Sequence, residues 1–170
     1  MGNSGNASLR SRGGFLVKRS GAYLDDPGAL VFVPLEGEIP PDASRESPVH
    51  RAIYQETRHQ AVLHAHPPFA VTLSLSREKM VPVDSEGLLL CPSIPVVAGP
   101  PGSQKLGDRV AESLLRGRIV IARGHGTFAA GKDLEEAYLV TAAAAHACRV
   151  LYLRQTLTGP RIGCSFFPLP

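Results

Sequence analysis

Two histidines one residue apart, His64 and His66, follow the apolar run Ala61-Val62-Leu63 and precede Pro67-Pro68. In an extended strand, residues i and i+2 point to the same side, so the two imidazoles share a face. The prolines lack the N–H that a ladder needs and end the strand there. Two imidazoles side by side at a strand end make half of a site for Zn²⁺ or a related divalent ion. Taken alone, the pair also fits two exposed or core histidines that happen to alternate. A third histidine, His125, stands between Gly124 and Gly126, directly after the apolar run Ile119-Val120-Ile121-Ala122 and Arg123. Three imidazoles plus a carboxylate or water form the ligand set of a catalytic zinc site. To share an ion, His125 must lie within ~7 Å of the pair. The flanking glycines let backbone approach an ion or ligand closely. Glu46 offers a carboxylate at a helix start; the plain reading of such a residue is a first-turn acid favoured by the helix dipole.

Positioning these residues calls for a mixed set of strands and helices. A basic segment, residues 9–12, the Gly13-Gly14 turn and a strand over 15–18 read as a hairpin. Residues 30–33 form a further short strand ending at Pro34, and 36–43 a proline- and glycine-bearing loop. Ser44 is the expected N-cap of a short helix with Val49 and Ile53 on its apolar stripe, ending near Arg58. The Pro67-Pro68 pair opens a helix over 69–75. Extended pieces are expected at 88–90 and 96–97, and the loop 99–103 leads into a helix from Gln104 to Leu115. Residues 119–122 read as a buried strand, and Asp133 caps a long helix reaching about Leu153. With no repeat and no linker, residues 1–170 read as a single α/β domain.

Composition narrows the class. At 170 residues with 44% hydrophobic residues, the chain has enough apolar material for one core. A net charge of +3 with no Lys/Arg run argues against nucleic acid, and no stretch is long and apolar enough to span a membrane. Cys91, Cys148 and Cys164 are odd in number, widely spaced and match no zinc pattern; they read as reduced thiols, so a cytoplasmic location is expected. The Asn6-Ala7-Ser8 sequon carries no weight without a secretion signal, and Met1-Gly2 fails as a myristoylation start because Asn6 stands where Ser or Thr is needed.

In order along the chain, Gly5-Asn6-Ala7-Ser8, Ser20-Gly21, Ser44-Arg45-Glu46 with His50 and Tyr54, the His64/His66 strand, and Gly124-His125-Gly126 with Gly131 and Glu136-Ala137 resemble the class II aldolase/adducin family. The likeness is nearest to its members that cleave L-fuculose 1-phosphate. The resemblance implies a three-layer α/β/α sandwich around a mostly antiparallel central sheet, and a homotetramer. It implies that His64, His66 and His125 hold the metal, usually Zn²⁺, with Mn²⁺ or Co²⁺ as substitutes. Glu46 would be the general base, and Asn6, Ser20, Gly21, Ser44 and Arg45 would cradle the phosphate of a small phosphorylated sugar. The implied reaction is metal-dependent cleavage of a ketose 1-phosphate to dihydroxyacetone phosphate and an aldehyde. The charge that develops on the ketose fragment is one a divalent ion neutralises.

The chain departs from that pattern in three places. It starts almost at the Gly-Asn-Ala-Ser loop, so the family's leading helix and long C-terminal tail are expected to be lacking. Asp84-Ser85-Glu86 stands near where aldolases of this type carry a tyrosine, and the last tyrosine is Tyr152. Arg45 occupies a position where they have a small hydroxyl residue. The same scaffold also serves sugar-phosphate 4-epimerases and a methylthioribulose-1-phosphate dehydratase, and in adducin a non-enzymatic interaction module. Glu46 rather than Asp argues against the epimerase, and the three histidines argue against the module. His50 is expected in the core, His59 and His146 at the surface, and Glu86 is the reserve candidate for the base.

Overall fold

The computed structural model describes residues 5–26 and 28–158; Met1-Gly2, Cys164 and the chain end considered above lie outside them. The chain runs β1 (Asn6–Ser11), β2 (Gly14–Val17), β3 (Val31–Pro34), α1 (Ser47–Glu56), β4 (Ala61–Ala65), α2 (Pro68–Ser74), β5 (Lys79–Met80), α3 (Ser85–Leu90), β6 (Ile94–Val97), α4 (Gln104–Leu114), β7 (Ile119–Ala122), β8 (Gly126–Gly131) and α5 (Leu134–Thr158). The strands form one eight-stranded sheet in the order β3-β2-β1-β4-β8-β7-β6-β5. Every neighbouring pair is antiparallel except β6 and β7. Alternation along each strand divides the core in two. Val120 and Ala122 of β7 and Phe128 and Ala130 of β8 pack with Val49, Ile53, Leu106 and Val110 of α1 and α4. Ile119, Ile121 and Ala129 turn the other way and pack with Ala70, Leu73, Val140, Ala144 and Cys148 of α2 and α5. The expected three-layer α/β/α sandwich with a mostly antiparallel sheet is therefore the architecture observed.

The long helix α5 is anchored at its start by side-chain chemistry. Asp133 Oδ1 accepts the Glu136 N–H at 2.7 Å, while Glu136 reaches back to the Lys132 N–H and pairs with Arg118 Nη1 at 2.9 Å. That is a variant of the capping box in which the returning bond goes to the residue before the cap. Its buried face, Ala137, Val140, Thr141, Ala144, Cys148 and Leu151, recurs at helical spacing.

The structure corrects five local expectations. Ser44 is not the N-cap of α1: the helix begins at Ser47, Glu46 is the cap residue without a side-chain cap bond, and Ser44 Oγ accepts the Glu46 N–H at 3.4 Å. The helix also ends at Glu56 rather than Arg58, because Thr57 is extended and turns its Oγ1 back onto the Ile53 carbonyl. Residues 88–90 are helical, since Asp84 caps α3 by accepting the Gly87 N–H at 2.8 Å. The hydrogen-bonded cap overrides the strand-like run of leucines, two of which, Leu88 and Leu89, are exposed. Strand β8 was not expected from a sequence bounded by glycines and rich in alanine. His59 is half-buried rather than on the surface, with Nε2 3.2 Å from the Leu114 carbonyl.

Beneath the sheet end, His50 is fully buried, with Nδ1 2.7 Å from Ser8 Oγ, which also meets Tyr54 OH at 2.8 Å. Burial drives the His50 pKa down to about 3. The unfolded chain therefore takes up a proton near the ordinary histidine value, while the folded chain resists it until about 3. Stability that is complete above that ordinary value is lost as pH falls. Between pH 7 and 5 His50 should cost about 2 kcal/mol of unfolding free energy, which His50→Leu should remove from the pH slope. Denaturant unfolding at the two pH values measures this, and an unchanged slope in the variant would assign the dependence to other groups.

Candidate functional site

The centre of the sheet ends in the three histidines. In the ladder, Asn6 of β1 and Phe128 of β8 flank His64 of β4. The His64 ring stacks on Phe128 with centroids 4.2 Å apart, and Nδ1 lies 2.8 Å from the Thr127 carbonyl oxygen. A carbonyl can only accept, so Nδ1 carries the proton and the Nε2 lone pair points outward. His66, just past the strand end, brings its Nε2 to 2.8 Å from that atom. His125 comes from the turn between β7 and β8, with its ring 4.7 Å from His64 and 5.0 Å from His66.

One donor atom from each ring falls within 4.8 Å of the others. A tetrahedral Zn²⁺ with Zn–N of about 2.0–2.1 Å needs donors about 3.4 Å apart, so shifts of about an ångström would seat an ion. Close approach of the rings depends on Gly126. A Cβ there would meet the Ala65 carbonyl at 2.4 Å and His66 Cδ2 at 2.6 Å.

Electrostatics favour the unprotonated, ligating form of each ring. Burial is the main cause lowering the pKa of all three, and their mutual repulsion adds to it for His64 and His125. Glu46 Oε1 lies 3.8 Å from His125 Nε2, and Oε2 accepts the Gly102 N–H at 3.1 Å. Burial raises the Glu46 pKa, and the Gly102 bond opposes that rise. Gly102 sits at φ +68°, where only glycine is comfortable, and a Cβ would meet the Arg45 carbonyl at 2.6 Å. A side chain there would disturb the turn that holds the carboxylate.

The histidines and Glu46 line a cavity of about 370 Å³ together with Asn6, Ser20, Gly21, Ser44 and Arg45. All nine candidate residues named from the sequence thus meet in one place. Two more were missed, Gly5 and Lys18. Lys18 reads in sequence as a charge closing a strand, and its burial arises only from tertiary packing. The buried Asn6 Oδ1 and His125 Nδ1, on two residues that line the cavity, find no hydrogen-bond partner among the described residues. Glu86, the reserve base, is exposed on α3, and it lies outside this cavity together with exposed Ser85 and half-buried Asp84.

The model of the class II aldolase and adducin N-terminal domain matches residues 1–152, and the chain belongs to this class II aldolase/adducin family. It is similar to an L-fuculose phosphate aldolase of Methanococcus maripaludis, with 26% identity over 92% of this chain and 89% of that one. A 5-methylthioribulose-1-phosphate/5-deoxyribulose-1-phosphate aldolase of Escherichia coli is 31% identical over 80% of this chain and 67% of that one. Among solved structures, the L-fuculose-1-phosphate aldolase from Thermus thermophilus superposes with a TM-score of 0.88 at 37% identity, covering 94% of this chain and 88% of that one.

Gly126→Ala tests how tightly the ring cluster is held. Affinity for a divalent ion should drop by about 10–100-fold, the usual effect of disturbing the support behind a ligand. Titration of metal-free protein with Zn²⁺ against a competing chelator reads this, and affinity within about twofold of the parent would show that the backbone yields without cost.

Proposed function

We propose that the chain is a metal-dependent aldolase that cleaves a ketose 1-phosphate of the fuculose 1-phosphate kind to dihydroxyacetone phosphate and an aldehyde. One observation carries the reading: three neutral imidazoles and a buried carboxylate line the same cavity as a set of small hydrogen-bonding residues. The relatives' names support the aldolase over the epimerase or dehydratase. The substrates named for the Thermus thermophilus structure and the Escherichia coli relative are ketose 1-phosphates that differ at the far end of the sugar.

In this reading His64, His66 and His125 hold a divalent ion, Zn²⁺ first, with Mn²⁺ or Co²⁺ as substitutes. Bound there, such an ion supplies Lewis-acid stabilisation of the negative charge that develops on the oxygens of the ketose fragment. The chain's own groups do the rest. Asn6, Ser20, Gly21, Ser44 and Arg45 bind the phosphate and fix the register of the sugar chain. Glu46 moves the proton at carbon. In condensation its carboxylate takes it from the carbon beside the ketone while the aldehyde oxygen gains one from water. In cleavage the protonated carboxyl returns it to that carbon while the hydroxyl of the departing aldehyde carbon loses its own to water. Burial makes Glu46 a stronger base than a solvated carboxylate, and the Gly102 N–H fixes which oxygen faces the cavity. Exposed Leu75, Leu89 and Leu157 are apolar surface of the kind a homotetramer covers; a monomer mass by light scattering would remove assembly from the reading.

Glu46→Gln keeps size and hydrogen-bonding shape but cannot take up the proton. Turnover, measured as dihydroxyacetone phosphate release from a panel of phosphorylated ketoses, should fall roughly 10²–10⁴-fold while metal content stays. His64→Ala should lose metal and turnover together. Turnover of Glu46→Gln within about twofold of the parent would remove Glu46 from the mechanism.

A further inference from the structure

Asn6 Oδ1, Ser47 Oγ and His50 Nε2 are buried without a hydrogen-bond partner among the described residues, and all three belong to the seam between β1 and α1. Native cores hold few such atoms. β1 starts at the cavity with Asn6 and α1 starts there after Glu46, so the two elements run inward side by side. Asn6, Ser8 and Arg10 alternate onto one face of β1, while Ser47, His50 and Tyr54 share one stripe of α1.

The deeper part of this seam is hydrogen-bonded. Ser8 Oγ meets both His50 Nδ1 and Tyr54 OH, and the Arg10 guanidinium lies over the Tyr54 ring. The three unpartnered atoms lie above, towards the cavity. In the ladder, Asn6, His64 and Phe128 form one row, and Ser8, Val62 and Ala130 the next. His50 is tied by Nδ1 to the Ser8 row and stands edge-on to Phe128 of the Asn6 row, with centroids 6.1 Å apart. The ring thus bridges the two rows, and Nε2 is the nitrogen left for the Asn6 row.

The balance of donors fixes where the His50 proton sits. Burial keeps the ring neutral, so one nitrogen donates and the other accepts. Tyr54 is 1% exposed, and the acceptor its O–H meets is Ser8 Oγ. When Tyr54 donates to Ser8, the Ser8 O–H donates to His50 Nδ1 and the ring proton is on Nε2. The opposite direction strands the Tyr54 O–H in the core without an acceptor, a costly loss. Nε2 therefore carries the N–H, and Asn6 Oδ1 and Ser47 Oγ stand as acceptors near it. No direct bond joins the three, and three polar partners suit one buried water. An amide whose oxygen is held inward turns its NH2 group outward, and Asn6 lines the cavity.

We infer that His50 is a positioning residue: its Nε2–H, through a bound water shared with Ser47, holds Asn6 Oδ1 inward so that the Asn6 amide presents its N–H donors to the substrate. The chemistry it serves rests on the reading given under the proposed function.

Two substitutions separate the ring nitrogens. H50Q sets an amide nitrogen where Nε2 stands and gives up the bond to Ser8. H50N keeps a partner for Ser8 and gives up Nε2. H50N should raise KM for the ketose phosphate by about tenfold and leave kcat within about threefold, because in this reading Asn6 grips a part of the substrate that does not react. H50Q should raise KM less, although it loses the Ser8 bond. Equal effects, or the reverse order, would show that His50 merely ties α1 to β1 and would overturn the inference. Two readouts on the parent need no turnover. Long-range proton–nitrogen spectra of histidine-labelled protein, with the His50 signals identified by their absence from H50N, should show Nε2 protonated and Nδ1 bare. A crystal structure should show one ordered water within about 3.2 Å of all three atoms. A proton on Nδ1, or no such water, would overturn the inference whether or not the proposed function holds. If the parent turned over none of the phosphorylated ketoses, the proposed reaction would fall, and the tautomer and the water would still decide this inference.

Discussion

The hydrogen bond from His64 Nδ1 to the Thr127 carbonyl, 2.8 Å long and running between β4 and β8, is the interaction on which the site's geometry depends. It fixes the tautomer of His64 and the outward direction of Nε2. It requires the register that sets His64 opposite Phe128 and Ala65 opposite Thr127. A slip by one residue would turn His64 to the other face of the sheet and bury it under α5. The same register puts Gly126 against the rings, the position where any side chain would collide with His66 and the Ala65 carbonyl. On the other side of β4, pairing with β1 aligns Asn6 with His64, and so brings the Gly5-Asn6 turn to the cavity.

This arrangement carries costs that the rest of the fold offsets. Buried Asn6 Oδ1, His50 Nε2 and His125 Nδ1 have no hydrogen-bond partner among the described residues, each worth about 1–3 kcal/mol if left unsatisfied. The imidazoles repel one another when protonated and are buried enough to stay neutral. Both apolar layers press on this region from opposite sides, α1 with α4 through Phe128 and α2 with α5 through Ala129. Rigid support from two layers is what lets desolvated groups persist at a sheet end.

How much of this could be read from the sequence follows from how local each signal is. His64 and His66 announce themselves because strand alternation and the two prolines act within a few residues. His125 between glycines and Asp133 capping α5 are local in the same sense. Strand β8 was hidden because Gly126, Ala129, Ala130 and Gly131 are poor strand formers; they are small because rings crowd one end and Glu136 with α5 the other. The Asp84 cap decided α3 against its leucine run, a contest that hydrophobic pattern alone does not resolve. Gly102, which holds Glu46 across 56 residues, and Lys18, whose burial depends on loop 19–22, are tertiary facts with no local signature.

The central claim is that the three imidazoles together hold one divalent ion. X-ray absorption at the zinc edge on zinc-loaded protein measures it most directly. The account predicts one ion per chain with three imidazole nitrogens at about 2.0–2.1 Å and the remaining ligands oxygen. Sulfur in the first coordination sphere, fewer than three imidazoles, or substoichiometric zinc that leaves with a mild chelator would contradict it.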